Sequence, residues 1–189
     1  ILVEQTMWHE VYKHHVFHKI SRLLRPFFLI DVLKVKFWEK YYWRKADKLV
    51  AVSQEDRQEM LKLLPGVTVD IIPNGVDTDF YKKMKIKKLS PPRILYGVTN
   101  FEWLQNQEAT EILINNVWPR IKKDVKDARI WIVGRQIPDW VKKKASLKDI
   151  ELTENIEDAR EAYGAATIMV APIKGSGGTR LKVLEAMAS

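Results

Sequence analysis

Three glycines, two cations and a carboxylate fall within one short run, as Gly175, Gly177, Gly178, Arg180, Lys182 and Glu185, with Thr179 between loop and cations. An apolar strand, Thr167 to Ala171, leads into the glycines, and a helical pattern opens at Thr179 with Leu181, Val183, Leu184 and Met187 on its apolar side. A glycine loop at a helix N-terminus presents unpaired backbone N–H groups and the positive end of the helix dipole to an anion. Arg180 and Lys182 put two further cations in the first turn, where dipole logic favours acids, so the anion that fits is large enough to need both. Glu185, deeper in the helix, is placed to accept hydrogen bonds from hydroxyls. Phosphate at the loop and a sugar hydroxyl at the carboxylate describe a nucleotide or nucleotide-sugar site. A tight turn before an ordinary amphipathic helix is the competing reading, since glycine-rich loops recur without ligands.

The elements that must position these groups alternate. From Arg93 onward, strands are expected at Ile94–Tyr96, Ile130–Val133, Ile150–Leu152 and Ile168–Ala171. Helices are expected at Gln107–Lys123, Pro138–Ala145 and Glu157–Ala165, with Gly97–Asn106 as a long loop. Such alternation implies a parallel sheet with right-handed crossovers, whose ligands sit beyond the C-terminal strand ends. Gly97, Arg135 and the run from Gly175 to Arg180 all fall at that edge. Arg135 also reads as a plain surface arginine following a strand.

The first half carries a second α/β pattern. Ile1–Val3 reads as the end of a strand and Glu4–Leu24 as a helix, with Val16, Ile20, Leu23, Leu24 and Phe27 on one face and Pro26 ending or kinking it. A second helix is expected over Asp31–Lys45, with Ile30, Leu33, Phe37 and Tyr41 in register and Trp38, Tyr42 and Trp43 beside them. Leu49–Val52 is a strand pattern, Ser53 with Asp56 caps a helix over Gln54–Leu64, and Val67–Ile72 is another strand closed by Pro73-Asn74-Gly75. Lys82–Pro92, lysine-rich and ending Ser-Pro-Pro, reads as an exposed linker.

Composition limits the partners. The net charge of +8 favours anionic ones: nucleotide phosphates, anionic lipid headgroups or nucleic acid. Between His14 and Lys48, nine Lys or Arg stand against three acids, interleaved with aromatics. That pattern fits an anionic membrane or nucleic acid, and equally a core-facing helix pair with a solvated basic face. No nucleic-acid-reading motif accompanies it, so no nucleic-acid partner is expected. With no cysteine, disulfides and thiolate metal sites are excluded, which fits a cytoplasmic setting. His14 and His18 have the i, i+4 spacing of a zinc helix, yet neither the expected Glu nor a third ligand accompanies them, and no metal is expected. No run is long and apolar enough for a membrane span. The chain starts at Ile1 and stops inside a helical pattern at Ser189, so it is expected to be a fragment, inactive by itself.

Gly177-Gly-Thr-Arg-Leu-Lys-Val-Leu-Glu-Ala-Met-Ala188 resembles the donor-site signature of the family 4 (group 1) retaining glycosyltransferases, and Ile72-Pro-Asn-Gly-Val-Asp77 resembles the phrase that ends their acceptor domain. The resemblance implies an α/β chain of two Rossmann-like domains (the GT-B fold), both incomplete. Residues 1–86 would be the C-terminal part of the acceptor-side domain plus linker, and 87–189 the N-terminal part of the nucleotide-sugar domain. It implies transfer of a sugar from a nucleoside diphosphate sugar to a hydroxyl of a glycan or lipid-linked acceptor, with retention, no metal cofactor, and a place in the cytoplasm at the inner face of a membrane. Arg180 and Lys182 would neutralise the leaving diphosphate. Gly97, Arg135, Gly175, Gly177, Gly178 and Thr179 would line the donor, and Glu185 would hold the ribose. Two departures accompany it. The loop Val98–Trp103 lacks the Arg and Lys that relatives use as diphosphate clamps. The first of two glutamates that relatives space seven residues apart falls at Gly177, and His9 matches a relative's histidine loosely. A non-catalytic nucleotide-sugar-binding module on the same fold is the alternative.

Overall fold

The computed structural model describes residues 1–84, 86–146, 149–174 and 179–189. They fall into two compact units that divide between Asn74 and Gly75, with Arg180–Ser189 in the second. Residues 75–84, which the sequence groups with the first domain, thus belong to the second unit; Arg160 of that unit donates to the Phe80 carbonyl and lies 3.9 Å from the Phe80 ring.

The first unit runs β1 (Leu2–Glu4), α1 (Trp8–Lys19), α2 (Arg25–Lys45), β2 (Leu49–Ala51), α3 (Gln54–Leu63) and β3 (Val69–Ile71). Its three strands are parallel in the order β1-β2-β3, with β2 wholly buried between its neighbours. Met7, Trp43, Leu49, Ala51, Met60, Leu64 and Val69 form the core. The Ser53 cap is as the sequence requires: Ser53 Oγ accepts from the Asp56 N–H at 3.0 Å and donates to the Asp56 carboxylate at 2.5 Å.

Two expectations for α1 and α2 are corrected. Glu4 ends a strand and α1 stops at Lys19, while Pro26 lies in the first turn of α2, where its missing N–H costs nothing and its fixed φ suits helix entry. The faces differ too. Val32 and Trp43 are the buried residues of α2, whereas Ile30, Leu33, Phe37 and Tyr41 are exposed.

The second unit runs α4 (Thr78–Lys82), β4 (Arg93–Asn100), α5 (Leu104–Ile112), a π-helical turn (Leu113–Val117), α6 (Trp118–Asp124), β5 (Arg129–Arg135), α7 (Asp139–Ala145), β6 (Ile150–Glu154), α8 (Ala159–Ala165), β7 (Ile168–Met169) and α9 (Leu181–Ala188). All four strands are parallel, ordered β6-β5-β4-β7. The sheet is therefore a Rossmann-like half, and the chain reverses its direction of travel at the β4/β7 pair, the switch point where such sheets open a crevice. Tyr96, Phe101, Leu113, Ile114, Ile130, Ile132 and Val141 fill one face, and Leu95, Val133, Ala162 and Tyr163 the other.

The expected loop Gly97–Asn106 is corrected: β4 continues to Asn100 and α5 begins at Leu104. The expected single helix Gln107–Lys123 contains the wide π turn just before Pro119, whose nitrogen has no proton to give the carbonyl four residues earlier.

Candidate functional site

The site is built at the C-terminal ends of β4 and β5. Gly97 has φ +126°, and a Cβ there would lie 2.0 Å from the Val133 carbonyl oxygen. A Cβ on Gly134 would lie 2.2 Å from the Thr99 carbonyl oxygen, so the two strand ends approach through glycine on both sides. Val98 is also left-handed, at φ +49°, and the β4–β5 register shifts between Gly97 and Thr99. This bulge is what carries β4 past the position where the sequence pattern breaks.

The turn after β4 is tied internally. Asn100 Oδ1 accepts from the Glu102 N–H at 2.9 Å, Asn106 Nδ2 donates to the Asn100 carbonyl at 2.8 Å, and Gln107 Nε2 donates to the Phe101 carbonyl at 2.7 Å. The Tyr96 hydroxyl donates to the Asn106 carbonyl at 3.0 Å, and burial pushes that phenol far above its ordinary value. Asn106 is thus held from beneath while its Oδ1 stays available.

Lys182 takes that acceptor. Its Nζ donates to Asn106 Oδ1 at 3.2 Å and to Thr99 Oγ1 at 3.0 Å, and lies 5.6 Å from the centre of the Tyr96 ring. Burial, then the neighbouring charge of Arg180, pulls its pKa down to about 8, with Glu185 opposing. An ammonium has three protons to donate, and these are its two hydrogen bonds among the described residues. Arg180 occupies the N-cap position of α9, whose first turn contains no acid.

One turn on, Glu185 accepts from the Tyr163 hydroxyl at 2.9 Å, and its charge acts on the Tyr81 phenol. Burial and then the carboxylate's charge raise both phenols, Tyr81 to about 12, so at neutral pH each remains a donor. The Tyr163 bond orients the carboxylate, which has lone pairs for a further hydroxyl.

The expected residues are distributed as follows. Lys182 and Glu185 share α9, and Lys182 reaches the end of β4. Gly97 lies within β4 rather than in a loop. Arg135 ends β5, exposed, and lines a cleft of about 360 Å³ with Val98, Thr99, Asn100 and Glu157. Thr179 immediately precedes the cap of α9. Gly175, Gly177 and Gly178 lie outside the described residues. Sequence reasoning missed Thr99, near the end of β4, Asn106, in the first turn of α5, and Tyr81 and Tyr163.

In the first unit, His9 is buried with Nδ1 2.5 Å from Glu39 Oε2, and the other oxygen of Glu39 accepts the Trp8 N–H at 2.6 Å. Glu39 therefore caps α1 from α2, and His9 takes part in that cap. His14 and His18 stack at 4.0 Å, and His18 Nδ1 bonds the His14 carbonyl at 2.9 Å.

Two family models match the chain. Residues 92–189 match the one described as glycosyl transferases group 1, and residues 8–80 the one described as glycosyltransferase family 4. No curated protein matches the sequence.

Proposed function

This chain belongs to the group 1 glycosyltransferases, and from that premise we propose that it serves a retaining transfer of a sugar from a nucleoside diphosphate sugar to an acceptor hydroxyl. The observation that carries the reading is the pairing on α9: a lysine held by Thr99 and Asn106 at the end of β4, and a carboxylate bonded by Tyr163 one turn away. The first suits a diphosphate and the second a ribose hydroxyl.

In the reaction the acceptor oxygen bonds the anomeric carbon on the face from which the diphosphate departs; the bond from that carbon to the diphosphate oxygen breaks with its electron pair, and the acceptor's hydroxyl proton passes to that departing oxygen. Arg180 and Lys182 stabilise the charge that develops there. Arg135 and the strand end at Gly97 bound the donor cleft, Glu185 holds the nucleotide, and the sequence motif assigns Gly175, Gly177, Gly178 and Thr179 to the same ligand. Two side-chain cations perform the role a divalent ion has in metal-dependent transfer, so no metal is assigned. The acceptor is a glycan or a lipid-linked hydroxyl in glycolipid or envelope-polysaccharide synthesis, met in the cytoplasm at the inner face of a membrane. Residues 87–189 take the donor and residues 1–74 belong to the acceptor side, the segment between them packing with the second unit. The absence of a carboxylate at position 177 favours one alternative, a module that binds donor without transferring it; donor binding without turnover by the complete protein would select it.

Calorimetric titration of this chain with UDP, GDP and ADP tests the pocket. One diphosphate should bind, and Arg180→Ala and Glu185→Ala should each weaken it about tenfold or more. Binding that neither substitution alters, or no binding of any of the three, overturns the assignment. In the complete enzyme Arg180→Ala should lower turnover about a hundredfold.

A further inference from the structure

Side chains alternate between the two faces of a strand, so in β4 Leu95, Gly97 and Thr99 would share one face and Ile94, Tyr96 and Val98 the other. The structure breaks this alternation. The β4–β5 pairing passes from Gly97 with Val133 to Thr99 with Gly134 and leaves Val98 as an extra residue. Val98 packs against the cluster of Leu95, Val133, Ala162 and Tyr163, on the face that alternation would give to Thr99. Thr99 is thereby turned to the side of Tyr96. There its Oγ1 accepts from Lys182 Nζ at 3.0 Å, and that nitrogen lies 5.6 Å from the centre of the Tyr96 ring. The bulge is what brings a hydroxyl to the lysine.

The second partner is held from three directions. The Asn106 carbonyl accepts from the Tyr96 hydroxyl at 3.0 Å and from Thr110 Oγ1 at 2.7 Å, and Asn106 Nδ2 donates to the Asn100 carbonyl at 2.8 Å. Its Oδ1 then meets Lys182 at 3.2 Å. Both acceptors are neutral, whereas Lys34 and Lys142 meet the carboxylates Asp31 and Glu154. A carboxylate holds an ammonium and cancels its charge; a hydroxyl and an amide oxygen orient it and leave the charge for an arriving anion. The segment Val98–Trp103 contains no lysine or arginine, so this strand end contributes acceptors and α9 contributes the cation. A lysine has a flexible four-carbon stem, and one tethered in advance does not have to be ordered by its ligand.

We infer that Thr99, aimed by the bulge at Val98 and seconded by Asn106, is a positioning residue for Lys182, and that it sets the site's preference for a nucleoside diphosphate over the corresponding monophosphate. The inference rests on the donor reading of this pocket. In that reading Glu185 meets the ribose, and Lys182 lies one turn nearer the N-terminus of α9. The ammonium therefore stands further along the ligand, on the side of the charge that a diphosphate carries and a monophosphate lacks. A lysine released from Thr99 would still be present and cationic, but no longer fixed at that end.

The test is calorimetric titration of the 189-residue chain with UDP, GDP and ADP and with UMP, GMP and AMP. The parent should bind one diphosphate about tenfold or more tightly than its monophosphate. Thr99→Val keeps the side chain's shape and removes the acceptor; it should reduce that ratio to about threefold or less and leave monophosphate affinity within about twofold. Thr99→Ser should restore the ratio. Lys182→Met should abolish it, and Thr99→Val/Lys182→Met should lose no more than Lys182→Met alone, because two residues acting through one ammonium do not add. Hydrogen exchange of the β4 and β5 amides should show the valine variant folded as the parent is. Equal weakening of diphosphate and monophosphate by Thr99→Val, a serine variant that restores nothing, or additive losses in the double variant overturns the inference and leaves the donor pocket standing. A parent chain that binds no diphosphate overturns the donor reading and the inference with it.

Discussion

The two units use the same parallel α/β plan and finish it differently. In the second unit the polar groups near the strand ends are matched to partners from distant elements: Lys182 to Thr99 and Asn106, Glu185 to Tyr163. In the first, the long helix α2 spends its inward face on Val32, Trp43 and the Glu39 cap and leaves a run of rings facing outward. A pocket needs groups held in advance in fixed positions, whereas a docking surface needs apolar area and charge that fold without their partner. The contrast is between polar groups held by one another in one unit and an outward apolar face in the other.

The sharpest way to break this contrast is at Gly97. Alanine there would have to hold φ near +126° with its Cβ on the Val133 carbonyl, so β4 and β5 must separate at the site. Gly97→Ala should destabilise the second unit by about 3 kcal/mol or more, read by hydrogen exchange of the β4 and β5 amides. First-unit amides should exchange as before. A loss smaller than about 1 kcal/mol would mean that the bulge is not a fixed feature of the pocket. Next in size is Glu39→Ala, which leaves the Trp8 and His9 N–H groups and the buried His9 ring without their acceptor. It should cost about 2 kcal/mol in the first unit by urea unfolding and leave diphosphate affinity untouched.

What the sequence made legible follows the range of each interaction. The Ser53–Asp56 cap spans one turn and was readable from spacing alone. The buried strand at Ile130–Val133 was readable from an unbroken apolar run. Pro26 was ambiguous because proline chemistry permits both the end and the first turn of a helix; the Glu39 carboxylate, thirty-one residues from Trp8, fixes where α1 begins. β4 was cut short at Gly97 because only the approach of Val133 explains a glycine inside a strand. At the site, Lys182 and Glu185 were visible through motif resemblance. Their partners were not: Lys182 meets Thr99 across 83 residues of chain, and no local pattern encodes such a pairing.

Lys182 sharpens the pocket side of the comparison through pH. Its folded pKa of about 8 lies below the ordinary 10.5, so between those values the unfolded chain holds a proton that the folded chain has released. Stability should therefore rise with pH from about 8 to about 10.5, by an amount of order 1 kcal/mol. Diphosphate affinity should move the opposite way, falling as the ammonium is lost near pH 8. Lys182→Met should flatten both profiles. An affinity profile unchanged in the variant would mean that Lys182 braces the turn at Thr99 and Asn106 without meeting the ligand.

The smallest expected effect bears on the surface side. Phe37→Ser removes a large ring, a change that in a core costs several kcal/mol because a cavity and lost contacts remain. On the outward face of α2 the ring is 61% exposed and meets Trp38 edge-on at 5.5 Å. The substitution should therefore change unfolding free energy by no more than about 0.5 kcal/mol, measured by urea denaturation. A loss of about 2 kcal/mol or more would place Phe37 in a core and remove the distinction between the two units.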